Sequence, residues 1–97
     1  MVLRIVCINK DHGYHENPHE AISSFGWIED STSLNGKYTL LQMVIFIDRG
    51  GVAYVQTPDG RRKAYLETFL RGGKKFVRTI PDSTRRDNLL TLPECRA

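Results

Sequence analysis

The chain opens on a run that is apolar at every position but one, Val2-Leu3-Arg4-Ile5-Val6-Cys7-Ile8. A β-branched run that is apolar on both alternating faces predicts a strand inside a sheet. It ends at Asn9, and residues 10–16 form a polar loop. Asn17-Pro18-His19-Glu20 then supplies an N-cap, a proline at N1 and a glutamate at N3. A short helix is predicted from there, with Ala21, Ile22 and Phe25 on one face and Gly26 stopping it. Trp27 is expected to pack over the helix end before a loop that runs to Ser33, and Asn35-Gly36 marks a turn.

Residues 38–49 are nearly all apolar, and periodicity does not separate helix from strand there. Thr39 as a cap, Gly50-Gly51 as a stop and a length of about ten residues favour a helix. Being apolar nearly all round, it must be buried on more than one side. The remainder reads as a three-stranded meander: residues 52–57, a turn at Pro58-Asp59-Gly60, residues 61–70, and a third strand after the Gly72-Gly73 loop. A two-residue loop there pairs Leu70 with Lys75, Phe69 with Phe76, Glu67 with Arg78 and Tyr65 with Ile80. One sheet face then carries Ala53, Val55, Lys63, Tyr65, Phe69, Phe76 and Arg78, and the other Val52, Tyr54, Ala64, Leu66 and Val77. Leu89, Leu90 and Leu92 form an apolar tail expected to lie back on the body. The predicted fold is α+β, a single domain over residues 1–97. Its antiparallel sheet combines the N-terminal strand with the C-terminal meander, and two short helices pack on one face.

A length of 97 residues fits one core and excludes a second. Charge changes the picture more through its distribution than its total of +3. Residues 1–48 hold three Lys and Arg against six Asp and Glu, whereas residues 49–97 hold eleven against five. Arg61, Arg62, Lys74, Lys75, Arg85 and Arg86 fall at predicted strand ends and turns, where they are the candidate contacts for a nucleic-acid backbone. The competing reading is that basic residues on exposed strands deter edge-to-edge pairing. If the face bearing Tyr65, Phe69 and Phe76 is open, its rings among Lys63 and Arg78 would resemble a stacking platform for single strands.

Cys7, His12, His15 and His19 place four metal-competent groups within thirteen residues. Their spacing matches no zinc motif, so solvent-facing histidines are expected and no metal is assigned. A histidine-dependent hydrolase would need a fixed His pair and phosphate-binding cations, and nothing in the order of residues fixes that geometry. Neither G-x-S-x-G nor H-E-x-x-H occurs, and Gly72-Gly73-Lys74-Lys75 lacks the spacing of a phosphate loop. No catalytic residue and no cofactor is therefore assigned. Two cysteines do not make a disulfide framework, and the first apolar run is too short for a signal or a membrane span. A cytoplasmic protein without membrane contact is expected.

Ile5-Val6-Cys7-Ile8-Asn9-Lys10, Asn17-Pro18-His19-Glu20-Ala21-Ile22 leading to Gly26-Trp27, Gly51-Val52-Ala53-Tyr54-Val55, Lys75-Phe76-Val77-Arg78-Thr79 and Asp87-Asn88-Leu89-Leu90-Thr91-Leu92-Pro93 together resemble the small bacterial family catalogued as domain of unknown function 3892. The resemblance spans nearly the whole chain. It implies one compact α+β domain of bacterial or mobile-element origin, and no particular chemistry. The leading functional reading is a non-enzymatic interaction module, acting through a protein partner or as a homo-oligomer, by an open sheet face or by residues 40–47. The alternatives are a nucleic-acid-binding protein using the basic meander 61–86, and a phage or mobile-element inhibitor that occludes host machinery.

Overall fold

The computed structural model describes residues 1–11, 21–56, 60, 62–80, 89–90 and 92–95. These form β1 (Val2–Lys10), β2 (Ile22–Glu29), β3 (Asn35–Thr39), α1 (Leu40–Asp48), β4 (Val52–Gln56), β5 (Lys63–Arg71) and β6 (Lys74–Thr79). The strands make one sheet in the order β3-β2-β1-β4-β5-β6. β1 lies antiparallel to β2 and parallel to β4, so the sheet is mixed. The expected antiparallel sheet under two helices is thus replaced by a six-stranded mixed sheet with one short helix among the described residues. Apolarity on both faces of β1 follows from its central place, where the sheet continues on either side.

The first predicted helix is the main correction. Its proposed cap, Asn17-Pro18-His19-Glu20, lies outside the described residues, and from Ile22 the chain is strand. Ser23 and Ser24 are weak helix formers, whereas Phe25, Trp27 and Ile28 suit a pleated surface. Pairing Phe25 with Ile8 and Trp27 with Ile5 also gives β1 its second neighbour. Gly26 therefore stops no helix; it lies opposite Cys7 in the sheet. Asn35-Gly36, expected as a turn, belongs to β3, and the reversal falls earlier, ending at Ser33 with φ 61°.

The second helix forms where predicted. Thr39 accepts a hydrogen bond from the Gln42 amide at 3.2 Å, and the Thr39 amide donates to Gln42 Oε1 at 2.8 Å, a complete capping box. Gly50, at φ 94°, takes the left-handed conformation that ends the helix. Contrary to expectation, α1 is not enclosed on several sides: Met43 and Val44 are buried, but Leu41 and Ile45 are exposed.

The β5–β6 hairpin has the predicted register, with Phe69 opposite Phe76, Glu67 opposite Arg78 and Leu70 opposite Lys75. β4 sits one residue out of the expected phase with β5. Tyr54 pairs with Tyr65 and Val55 with Ala64, so Ala53 and Val55 join Leu66 and Val77 in the core while Tyr54 faces the other way with Tyr65. The turn expected at Pro58-Asp59-Gly60 lies, except for Gly60, outside the described residues; β4 ends at Gln56 and β5 begins at Lys63, a longer separation than the two residues between β5 and β6, and a slip of one position exchanges the two faces.

The core lies between one sheet face and α1 with the tail. Leu3, Ile5, Ile8, Phe25, Val55 and Val77 meet Met43 and Val44 of α1 and Leu89 of the tail. Trp27, Tyr38 and Phe46 follow one another at 5.3 and 5.9 Å, tying β2 to β3 and β3 to α1. As expected, the tail lies back on the body. Its last described residues run beside β1, where the Ile8 amide donates to Pro93 O at 3.0 Å and the Cys95 amide to Ile8 O at 3.1 Å.

Candidate binding surfaces

Two surfaces stand out, one on each side of the sheet. On the helix side, α1 carries no charge before Asp48. Leu41 and Ile45, one turn apart, form its outward ridge at 68% and 42% exposure. A groove of about 560 Å³ runs along one flank, floored by Tyr38, Phe46 and Gly51 and rimmed by Met1 and Arg49. Another of about 400 Å³ on the opposite flank is lined by Leu40, Leu41, Val44 and the Gly73-Lys74-Lys75 turn. Asp48 accepts from Lys75 Nζ at 2.7 Å and from Thr68 Oγ1 at 2.9 Å. The lysine contact, then the threonine, hold its carboxyl below the usual range.

The face turned away from α1 is built differently. Tyr54 and Tyr65 are neighbours at 6.1 Å, with the Lys63 ammonium 4.6 Å from the Tyr54 ring centre. Further along, Phe69 and Phe76 lie 5.8 Å apart, Arg78 sits 4.9 Å over Phe69, and Arg78 Nε donates to Glu67 at 3.0 Å. Tyr54 is buried and donates its hydroxyl to both Asp30 oxygens at 2.9 and 3.0 Å. Burial, reinforced by the Asp30 carboxylate, pushes the phenol above its ordinary range. Tyr65 is 45% exposed.

The predicted site residues do not assemble as one patch. Lys74 and Lys75, adjacent on β6, point to opposite sides: Lys75 pairs with Asp48 on the helix side, and Lys74 lies 5.3 Å over Phe76 on the other. Arg62 is exposed beside the start of β5. Arg61, Arg85 and Arg86 lie outside the described residues, as do His12, His15 and His19. Cys7, the remaining metal candidate, is disulfide-bonded to Cys95 and has no free thiolate to offer a metal. Among the described residues no group of three His, Cys, Asp or Glu is placed to hold a metal ion.

Reasoning from sequence passed over Arg4 as a site residue. Its partner across the parallel pair is Tyr54, its Nη1 reaches Gln56 Oε1 at 3.5 Å, and its Nε is buried without an acceptor. The available signal was the single charge within an apolar strand. No helix among the described residues is long and apolar enough to cross a membrane.

Residues 4–93 match the model of a family described as protein of unknown function, DUF3892. The chain belongs to that family. No curated protein and no solved structure matches the chain significantly. Family membership thus agrees with the resemblance in sequence and assigns no activity, which leaves the two surfaces as the basis for a functional reading.

Proposed function

We propose that the chain is a non-enzymatic interaction module that self-associates through α1, with a second copy as the occupant of the helix face. The observation that carries this reading is the apolar ridge of Leu41 and Ile45, exposed on a helix with no charge until Asp48. Surface helices ordinarily turn charged residues outward, and an outward apolar stripe is a contact waiting for a partner. Two features favour another copy of the same chain. Ridge and grooves share one face, so a two-fold arrangement seats the ridge of each copy in a groove of the other. The acid at the helix end is already paired with Lys75 within its own chain, so packing ridge against groove buries no unpaired carboxylate.

Sedimentation equilibrium tests this reading. The wild type is expected to be dimeric at about 100 μM, a concentration at which an association worth roughly 5.5 kcal/mol is half complete. Leu41→Glu with Ile45→Glu, both at exposed positions, is expected to leave a folded monomer. A wild type that is still wholly monomeric at that concentration overturns the proposal.

A further inference from the structure

The sheet face turned away from α1 carries Arg4, Tyr54, Tyr65 and Ile80 in one row across β1, β4, β5 and the residue following β6. We propose that this face binds single-stranded nucleic acid, with Tyr65 as the ring on which a base stacks and Arg4 and Lys63 as the cations that meet the backbone. The proposal stands apart from self-association, which uses the other side of the sheet.

Three observations converge on it. Tyr65 is nearly half exposed, and the buried Tyr54 beside it at 6.1 Å is held by Asp30, so the exposed ring has a fixed neighbour. Stacking on such a ring is sequence-tolerant because every base has a π-face. Arg4 has an N–H buried without an acceptor, and its only described hydrogen bond, to Gln56, is long at 3.5 Å. With Nε closed off, a phosphate oxygen meets this guanidinium at its Nη groups, in a charge-assisted bond. Lys63 is exposed, lies on the Tyr54 ring and is paired with Gln56, which Arg4 also reaches, so two cations gather around Tyr54, on one side of the stacking ring.

The acids on this face set a direction. Glu29 and Asp30, held by the turn after β2 and by Tyr54, line one hollow with Lys63 and Tyr65, and Glu67 is paired with Arg78. A phosphate chain is therefore repelled from the β2 end and runs along β5, from Lys63 past Tyr65 to the Glu67–Arg78 pair, a path of about 14 Å at the rise of a strand. Exposed Val52 and Ile80 add apolar surface beside that path for bases and sugars. A flat sheet face does not enter a duplex groove, and bases in a duplex have no free ring face to offer Tyr65.

Fluorescence anisotropy with a labelled oligodeoxythymidylate of about 12 nucleotides tests the proposal at low salt. The wild type is expected to bind with Kd below about 100 μM. Tyr65→Ala is expected to weaken binding roughly 5- to 140-fold, with Tyr65→Phe retaining it. Lys63→Gln should lower the slope of log K against log salt by about 0.7, the loss of one phosphate contact to a single strand. Lys75→Gln, on the helix side, should change neither affinity nor slope. No measurable binding, equal loss from Lys75→Gln and Lys63→Gln, or undiminished binding by Tyr65→Ala overturns the proposal.

Discussion

Cys7 is bonded to Cys95 across 88 positions of sequence, and Gly26 of β2 leaves the space in which the two sulfurs meet. Any Cβ at position 26 would fall on the Cys7 sulfur and 2.9 Å from that of Cys95. The bridge fastens the C-terminal segment along β1, where Asn9 Nδ2 also donates to Cys95 O at 3.2 Å. Closing a loop of this length removes roughly 4 to 5 kcal/mol of unfolded-state entropy in the chain-entropy treatment, the upper end of what such bridges contribute. Reduction, or Cys95→Ser, is expected to lower the urea midpoint. The Cys7→Ser, Cys95→Ser double variant should cost no more than either single change, because both remove one shared bond. Equal midpoints with and without reductant would refute a stabilising bridge.

Gly26 supplies a separate check on the same contact. Gly26→Val sets a branched side chain where the sulfurs lie, so the protein is expected to fold with its two thiols unpaired or not to fold. Thiol titration of the soluble variant under air should find two reactive cysteines, against none in the wild type. A variant with wild-type stability and no titratable thiol would show that the space at Gly26 is not needed.

Features set by local chemistry were legible in the order of residues, and those set by distant pairing were not. Gly72-Gly73 pins the β5–β6 register within one hairpin, so Phe69 and Phe76 could be placed opposite one another from sequence. Thr39 and Gln42, three apart, mark the start of α1 in the same way. The strand at Ile22–Glu29 was obscured because helix signals at residues 17–20 precede it and its real determinant, pairing with β1, is non-local. The parallel β1–β4 contact joins segments about fifty residues apart, and without it the meeting of Arg4 with Tyr54 cannot be foreseen. Lys74 and Lys75 were grouped as neighbours in sequence, although a strand sends adjacent side chains to opposite faces.

The capping box of α1 bears on the proposed association surface because it holds the turn that presents Leu41. Thr39→Ala removes the acceptor of the Gln42 amide and is expected to destabilise the protein by about 0.5 to 2 kcal/mol, with Thr39→Asp retaining most of the stability. Thermal unfolding of the two variants checks this. Equal losses for alanine and aspartate would mean that the Thr39 methyl, rather than its hydroxyl, matters.

Glu29 makes the folded state sensitive to acid. Its buried carboxylate closes the turn after β2, accepting from the Thr32 hydroxyl at 2.7 Å, the Thr32 amide at 2.8 Å and the Ser31 hydroxyl at 2.8 and 2.9 Å. These donors, the Thr32 hydroxyl foremost and the Ser31 hydroxyl next, pull its pKa from 4.5 down to about 2, against the opposing effect of burial. Since the folded pKa lies below the unfolded one, the folded state binds this proton less readily. The resulting stability is complete above about pH 4.5 and is lost as pH falls toward 2. The informative quantity is the difference between the wild type and Glu29→Gln, in which contributions common to both cancel. That difference in urea midpoint should be constant from neutrality down to about pH 5 and should shrink steadily below it. Thr32→Val, which removes the strongest donor, should shrink it already at neutral pH. A gap that stays constant down to about pH 2.5 would mean that the ionised form of Glu29 gains nothing from its turn.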